Sequence, residues 1–136
     1  MNRTEARKLA FELLYAYTFA AEEEQPDLYD KERELRGFEE DSYVRDLVQG
    51  VHDRRAELDG VIEGSASGWK IGRFSRTTLS ILRLSAYEML MREDIPYTVS
   101  INEAVELAKK YDDEKAPAFI NGILNSIADK KGLKKA

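Results

Sequence analysis

Cations and aromatic side chains follow one another at helical spacing near the start of the chain. Arg7, Phe11 and Tyr15 stand four residues apart, and residues four apart lie on one face of an α-helix. Lys8 lies one position round from Arg7, and Arg3 lies one turn before it. Cations hold phosphates and aromatic rings stack on unpaired bases, so this stripe is a candidate site for single-stranded RNA, although the spacing alone is a weak signal. The alternative is that the two rings extend the core.

A second basic stretch precedes a strongly apolar helical pattern. It contains Lys70, Arg73 and Arg76, and the hydroxyl residues Ser75 and Thr78 stand among and after these cations. Because the backbone N–H groups at a helix N-terminus favour anions, the stretch is a candidate phosphate site. Ordinary N-capping by the hydroxyl groups is the alternative.

Few residues could carry catalysis or bind a metal. The chain has no Cys, and His52 is its one His. His52 lies in an amphipathic helical pattern, where an exposed helical His is expected rather than a member of a catalytic triad. The sequence contains no Gly-rich phosphate loop, nucleophile elbow or zinc signature. We therefore expect a binding protein rather than an enzyme, without a cofactor or a metal.

Composition and charge describe a charged globular protein. The 136 residues are 43% hydrophobic and 35% charged, with a net charge of −5. This net charge argues against a general nucleic-acid coat protein, although a local basic patch is compatible with it. Acids are concentrated in residues 21–41. No apolar run is long enough to span a membrane, and the first residues lack an apolar signal-peptide core, so a cytoplasmic location is expected.

Hydrophobic periodicity predicts an all-α fold of six or seven helices, with no strand-like alternation. The chain is expected to form one domain, 1–136, with possible subdomains 1–66 and 67–136 that meet at the Gly- and Ser-containing segment 64–68. The predicted helices lie at about 4–19, 27–37, 42–62, 75–92, 100–111 and from Pro117 onward. Apolar residues cover most of the circumference of helix 75–92, which predicts a central helix contacted on several sides.

Three local signals refine this prediction. Ser100 and Glu103 have the spacing of a capping box, which predicts a helix that starts there. Arg83 lies at the edge of the central helix's apolar face, and pairing with an acid is favoured over RNA contact because buried charge is not tolerated unpaired. Gly122 is unfavourable inside a helix, and we expect that a neighbouring helix packs closely against it.

Six stretches of the chain, in this order and spacing, form a specific pattern. They are ARKLAFELLY (6–15), YVRDLVQGV (43–51), LDGVI (58–62), ILRLSAYEM (81–89), IPYTVSINEAVELAKKY (95–111) and FINGIL (119–124). This pattern resembles the NusB family of transcription antitermination factors, from Arg3 to Asp129. Segment 21–41 resembles the family only loosely.

The resemblance implies an all-α fold of two small helical bundles and no catalytic residues. It also implies three partners: a boxA-type single-stranded RNA of ribosomal RNA leaders, the ribosomal protein that doubles as NusE, and the antitermination complex with RNA polymerase. A membrane is not among them.

The resemblance also implies which residues contact RNA. Arg3 and Arg7 match an Arg-rich N-terminal segment, in which Thr4 and Glu5 replace further Arg residues. The partner protein is therefore expected to supply more of the electrostatic affinity. Tyr15, Thr78, Phe119 and Asn121 match positions of the family's RNA surface. With the basic stretches, the predicted RNA-binding set is Arg3, Thr4, Arg7, Lys8, Tyr15, Arg73, Arg76, Thr78, Phe119 and Asn121.

Two other interpretations remain open from the sequence. The same helical domain occurs as an N-terminal module of ribosomal-RNA cytosine methyltransferases, although this chain carries no downstream Rossmann-like enzyme domain. The other alternative is a structural or interaction protein of the same fold, without RNA binding, in which the acidic segment is the contact surface. RNA titration with and without NusE discriminates among the three.

Overall fold

The computed structural model describes residues 1–134, which form seven α-helices and two short 3-10 helices. The α-helices are α1 (Arg3–Tyr17), α2 (Leu28–Arg36), α3 (Ser42–Asp53), α4 (Arg55–Gly64), α5 (Arg76–Met91), α6 (Tyr97–Tyr111) and α7 (Ala116–Lys130). The 3-10 helices are Glu22–Asp27 and Ile71–Arg73. No strand occurs in this part of the chain, and the predicted all-α fold is confirmed.

Helix α5 lies at the centre of the molecule. It packs against α1, α3, α4, α6 and α7, and Ile81, Leu82 and Leu84 are buried on different sides of it. An apolar side chain on every side of a helix requires neighbours all around it, so the predicted central helix is confirmed. One hydrophobic cluster contains residues from all seven α-helices. The division into subdomains 1–66 and 67–136 stays a prediction.

One predicted long helix is wrong. The segment 42–62 is broken between α3 and α4 at Arg54, whose backbone lies outside the helical region at φ −113° and ψ 18°. Neither Gly nor Pro stands at the break, so the local sequence carries no strong helix-breaking signal. The break lets α4 pack against α5 and α7.

The predicted capping box is also wrong. Helix α6 begins at Tyr97, with Pro96 at the N-cap, and Ser100 is therefore inside the helix. The Ser100 side chain is buried and donates a hydrogen bond to Glu88 Oε1 at 2.6 Å. The Pro96 carbonyl oxygen accepts hydrogen bonds from the N–H groups of Val99 and Ser100, so the first turn of α6 closes at Pro96, ahead of the Ser–Glu spacing.

Several predicted helix ends and turns at Gly and Pro residues are confirmed. Helix α2 ends at Gly37, which has a φ of +74°, the left-handed conformation that glycine adopts without strain. A turn follows α4, with Gly68 at φ +89°. Pro117 lies in the first turn of α7, where its missing N–H is not needed.

The remaining two local predictions have opposite outcomes. Arg83 forms two hydrogen bonds of 2.8 Å to the carboxylate of Asp59, so its structural pairing is confirmed. The close packing predicted at Gly122 is wrong, because a Cβ added there would meet no atom within 4 Å. Gly122 and Asn121 are both exposed on α7.

Candidate nucleic-acid interface

A ladder of aromatic rings rises from the core to the surface at the C-terminal end of α1. Phe11 is buried against Tyr111, with ring centroids 5.2 Å apart. Tyr15 lies 6.3 Å from Phe11, and Phe19 lies 5.2 Å from Tyr15. Tyr15 is 37% exposed and Phe19 is 62% exposed. Both rings therefore offer accessible π-surface, while Phe11 belongs to the core.

Cations flank this ladder on both sides. The guanidinium of Arg76, from the first turn of α5, lies 4.2 Å from the centroid of the Phe19 ring. Lys8 lies beside Tyr111, whose side chain holds the pKa of the Lys8 ammonium above its ordinary value. The Nζ of Lys110 is 5.3 Å from the centroid of the same Tyr111 ring. Cations therefore lie at both ends of a row of aromatic rings, and this combination of groups can bind stacked bases and phosphates.

Arg7 is the clearest departure from the predicted stripe. Its side chain is buried, and its Nε donates to both carboxylate oxygens of Glu88, at 3.0 and 2.9 Å. Its Nη1 lies 3.4 Å from Glu103 Oε1. Burial lowers the pKa of Arg7, but the hydrogen bond and charge of Glu88 outweigh this effect, so its pKa lies above the ordinary value. Arg7 is therefore not an exposed cation, and its contact with RNA stays a prediction that its burial argues against.

Glu88 is the centre of a buried polar network. Besides Arg7, it accepts hydrogen bonds from the hydroxyl groups of Tyr43 and Ser100. Burial, together with the hydrogen bond to Glu88, raises the pKa of Tyr43 above its ordinary value. Four helices, α1, α3, α5 and α6, are thus joined at one carboxylate. A buried charge is tolerated in this way only when it is fully paired.

Arg3 and Thr4 lie at the other end of α1 from the aromatic ladder. The Arg3 guanidinium is 3.9 Å from the centroid of the Tyr43 ring and 3.5 Å from Asp94. Thr4 donates a hydrogen bond to Glu103 at 2.8 Å. At 1.5 Å per residue, about 18 Å of helix separates Arg3 from Tyr15. Arg3 and Thr4 are therefore separate from Tyr15, at the opposite end of the helix.

The predicted RNA-binding residues before and within α5 include both exposed and buried side chains. Arg73 and Arg76 are exposed. Thr78 is buried and donates a 2.6 Å hydrogen bond to Asp112, which ties the start of α5 to the end of α6. Ser75 caps α5 by accepting from the Thr78 N–H at 3.0 Å. N-capping is confirmed as the role of Ser75, and the expectation that the Thr78 hydroxyl is open to RNA is wrong.

A second aromatic cluster lies beside α7. Phe119 packs edge-on against Phe74 and Trp69, with centroid distances of 5.5 and 5.9 Å. Trp69 is about half exposed. Asn121 is exposed on the same helix and accepts a hydrogen bond from the Asn125 amide at 3.1 Å. Phe119 and Asn121 are therefore near the surface, although residues two positions apart on a helix do not face each other.

Sequence reasoning missed three residues of this region. Phe19 continues the spacing of Phe11 and Tyr15 by four more residues, and extending that series would have found it. Trp69 is the chain's single Trp, set in a turn beside Lys70, and an exposed Trp in a basic turn is itself a signal. Lys110 is visible only once α6 is placed beside α1.

The ladder and the second cluster belong to the same end of the helical bundle. Arg76 donates a hydrogen bond to the Thr18 carbonyl oxygen, which joins the start of α5 to the end of α1. The contacts Thr78–Asp112 and Phe74–Phe119 join the same region to α6 and α7.

Within residues 1–134, His, Asp and Glu side chains form no group of three or more that could hold a metal ion. Among the described helices, none combines the length and the apolar character that a membrane crossing needs.

An all-α bundle with this arrangement matches one protein family. The model of the NusB family matches residues 4–129, and the chain belongs to this family. It is 48% identical over 124 residues to the transcription antitermination protein NusB of Geobacter sulfurreducens, which covers 90% of each chain. The corresponding protein of Ruminiclostridium cellulolyticum is 43% identical over 130 residues, covering 94% of this chain and 89% of the relative.

Solved structures show the same fold. NusB of T. maritima superposes with a TM-score of 0.85 at 29% identity, covering 100% of this chain and 99% of that one. A crystal structure of the antitermination factors NusB and NusE in complex with double-stranded RNA gives a TM-score of 0.81 at 29% identity, covering 94% and 96% of the two chains.

Proposed function

We propose that this protein is a transcription antitermination factor that binds boxA-type single-stranded RNA together with the NusE ribosomal protein. In this role it acts by binding rather than by catalysis, in the cytoplasm, as part of an antitermination complex with RNA polymerase. Family membership supports the role, and a structural neighbour of the same fold is a complex of NusB, NusE and RNA. The observation that carries the proposal is the exposed pair of rings, Tyr15 and Phe19, with Arg76 over the Phe19 ring and Lys8 beside Tyr111 at the other end of the same row of rings.

The geometry revises the RNA-binding set inferred from the sequence. Tyr15, Lys8, Arg73 and Arg76 remain in the proposed surface. Phe119 and Asn121 extend it at the same end of the bundle, and Phe19, Trp69 and Lys110 are added. Arg3 and Thr4 form a separate group at the far end of α1. Arg7 and Thr78 position the helices and are removed from direct contact.

RNA binding with and without NusE tests the function. We expect a boxA RNA oligonucleotide to bind much more tightly when NusE is present, because two proteins that face one strand share its phosphate contacts and the two binding energies are coupled. Fluorescence anisotropy at fixed salt measures both affinities. Equal RNA affinity with and without NusE would contradict the proposal.

A pair of substitutions tests the surface. Tyr15→Ala should weaken RNA binding by about 1–3 kcal/mol, the contribution of one stacked base. Met91→Ala is the control, because Met91 is 38% exposed, almost the same as Tyr15, and lies at the opposite end of α5 from Arg76. Melting curves of both variants show that any loss of binding is not a loss of folding. If both variants bind RNA like the unchanged protein, the Tyr15 ring is not part of the site.

A further inference from the structure

A cavity of about 300 Å³ lies beside the aromatic ladder, between α1, α3, α4 and α5. This volume is at the lower end of the range for small-ligand pockets, about 300–1,000 Å³. No carboxylate side chain is among its lining residues. The lining side chains that bear on its chemistry are Tyr17, His52, Arg55, Phe74, Arg76 and Arg83.

Two of the residues that line this cavity each have a buried polar atom without a hydrogen-bond partner. These atoms are the Tyr17 hydroxyl and His52 Nδ1, and they are the buried side-chain polar atoms without a partner in the described chain. The two rings lie against each other, with centroids 5.4 Å apart and an angle of 35° between the planes. His52 was expected to be exposed and is partly buried instead. Because buried polar groups in proteins are nearly always paired, these two atoms point to a missing partner.

The cations at the cavity are not equivalent. Arg83 is neutralised by its two hydrogen bonds to Asp59. Arg55 donates instead to the neutral side-chain oxygen of Gln25 at 2.7 Å, and Arg76 donates to the Thr18 carbonyl oxygen. Among the described residues, neither Arg55 nor Arg76 forms a salt bridge with an acid, so both guanidinium groups can pair with a phosphate group.

Arg76 connects the cavity to the exposed surface. The same guanidinium that lines the cavity lies over the Phe19 ring, and Phe19 packs against Tyr15. A strand whose bases stack on these two rings would therefore pass Arg76 and reach the mouth of the cavity. A nucleotide offers both groups that the cavity lacks, a phosphate for the free cations and a flat base with acceptors and donors at its edge.

We propose that the cavity receives one nucleotide of the bound RNA strand, with its phosphate at Arg55 and Arg76 and its base beside Tyr17, His52 and Phe74. This inference rests on the proposed function, since it needs an RNA strand on the Tyr15–Phe19 surface. It adds a specificity pocket to that surface, because a base enclosed by hydrogen-bonding groups is read by its edge as well as by its stacking.

An abasic scan of the RNA tests the pocket. In a boxA RNA oligonucleotide, one nucleotide at a time is replaced by an abasic residue, and the affinity of each RNA is measured in the presence of NusE. The scan is repeated with Tyr17→Phe, which keeps the ring and removes only the hydroxyl. We expect Tyr17→Phe to bind the unmodified RNA about 2–10-fold more weakly than the unchanged protein does, which corresponds to the loss of one neutral hydrogen bond. At one RNA position, the abasic substitution should reduce RNA affinity clearly less in Tyr17→Phe than in the unchanged protein. The Tyr17 hydroxyl and the removed base form the same contact, so losing both costs no more affinity than losing one.

The phosphate half of the proposal has its own variant. Arg55→Gln should reduce the salt slope of RNA binding by about 0.7, the value for one phosphate contact of a single strand. Arg54→Gln is the matched control, because Arg54 is the neighbouring cation, pairs with Glu57 and does not line this cavity. Circular-dichroism melting curves check the fold of each variant. Tyr17→Phe should melt no earlier than the unchanged protein, because the hydroxyl that it lacks has no partner.

The possible results distinguish failure of the pocket proposal from failure of the proposed function. If RNA binds and Tyr15→Ala weakens it, but no abasic position is coupled to Tyr17→Phe or Arg55→Gln, the pocket proposal is wrong and the proposed function stands. If the two pocket variants weaken NusE binding in the absence of RNA, the cavity holds a side chain of the partner protein, and the pocket proposal is again wrong. If RNA fails to bind even with NusE, the proposed function itself fails.

Discussion

The Arg7–Glu88 pair allows a quantitative prediction about stability. Glu88 is 1% exposed. Within residues 1–134, Arg7 is the one cation that donates to it, alongside the neutral hydroxyls of Tyr43 and Ser100. Arg7→Met keeps much of the side-chain volume and removes the charge. The Glu88 carboxylate is then buried without a countercharge, which typically costs about 3–5 kcal/mol.

The melting temperature translates this cost into an observable. For a chain of 136 residues, an unfolding entropy of about 2.1 cal/mol/K per residue gives about 0.29 kcal/mol/K. Arg7→Met should therefore lower the melting temperature by about 10–17 °C. The double variant Arg7→Met/Glu88→Met should recover most of this loss, because replacing both members of a buried ion pair by apolar groups is often neutral or stabilising.

Lys8, the next residue, provides the comparison. Lys8→Gln should leave the melting temperature nearly unchanged and lower the salt slope of RNA binding by about 0.7. Arg7→Met, assayed well below its melting temperature, should leave that slope unchanged. Thermal melting and anisotropy titrations at several salt concentrations measure both effects. If Arg7→Met melts normally and flattens the salt dependence, the reasoning from burial is refuted and Arg7 is a phosphate contact after all.

Two further predictions follow from packing and from proton binding. Gly122→Ala should raise the free energy of unfolding by about 1 kcal/mol through helix propensity, because the space around Gly122 is open. Gly50→Ala should lower the free energy of unfolding by about 1–3 kcal/mol, because the added Cβ would overlap the Tyr87 ring. Equal melting temperatures for the two variants would contradict this prediction. Burial raises the pKa of Tyr17 and of Tyr87 to about 12, so the native state holds these protons more tightly than the unfolded state. The free energy of unfolding should then fall as the pH rises from about 10 to about 12, and urea titrations across this range should show a smaller fall for Tyr17→Phe.

The fold was predictable because the hydrophobic period is a local property of the sequence. Helix α5 shows this most clearly, since apolar side chains on all its sides implied its central position before any contact was known. The two boundary errors have a different origin. The break at Arg54 is imposed by the packing of α4 on α5 and α7, and the start of α6 was decided by Pro96 in competition with the Ser100 signal.

The site was less predictable because neighbouring residues of one helix face different surroundings. Arg7 and Lys8 are both cations on α1, and their order in the sequence says nothing about which one meets Glu88, 81 positions further along the chain. A carboxylate on the apolar α5 was the available hint, since a buried acid requires a cation near it. Similarly, the burial of Thr78 follows from Asp112, which belongs to a different helix.

The separation of charge along the chain explains how a protein of net charge −5 can carry an RNA surface. Ten acids lie in segment 21–41, and three of them form salt bridges to nearby cations: Glu32 with Arg36, and Asp30 and Glu40 with Arg45. The four cations of the proposed surface, Lys8, Arg73, Arg76 and Lys110, lie outside that segment. Four phosphate contacts by these cations would give a salt slope of only about −3 for the protein alone. Stacking and the partner must supply the rest of the affinity, so the slope measured with NusE should be clearly steeper. An identical slope with and without NusE would show that the partner contributes no phosphate contacts.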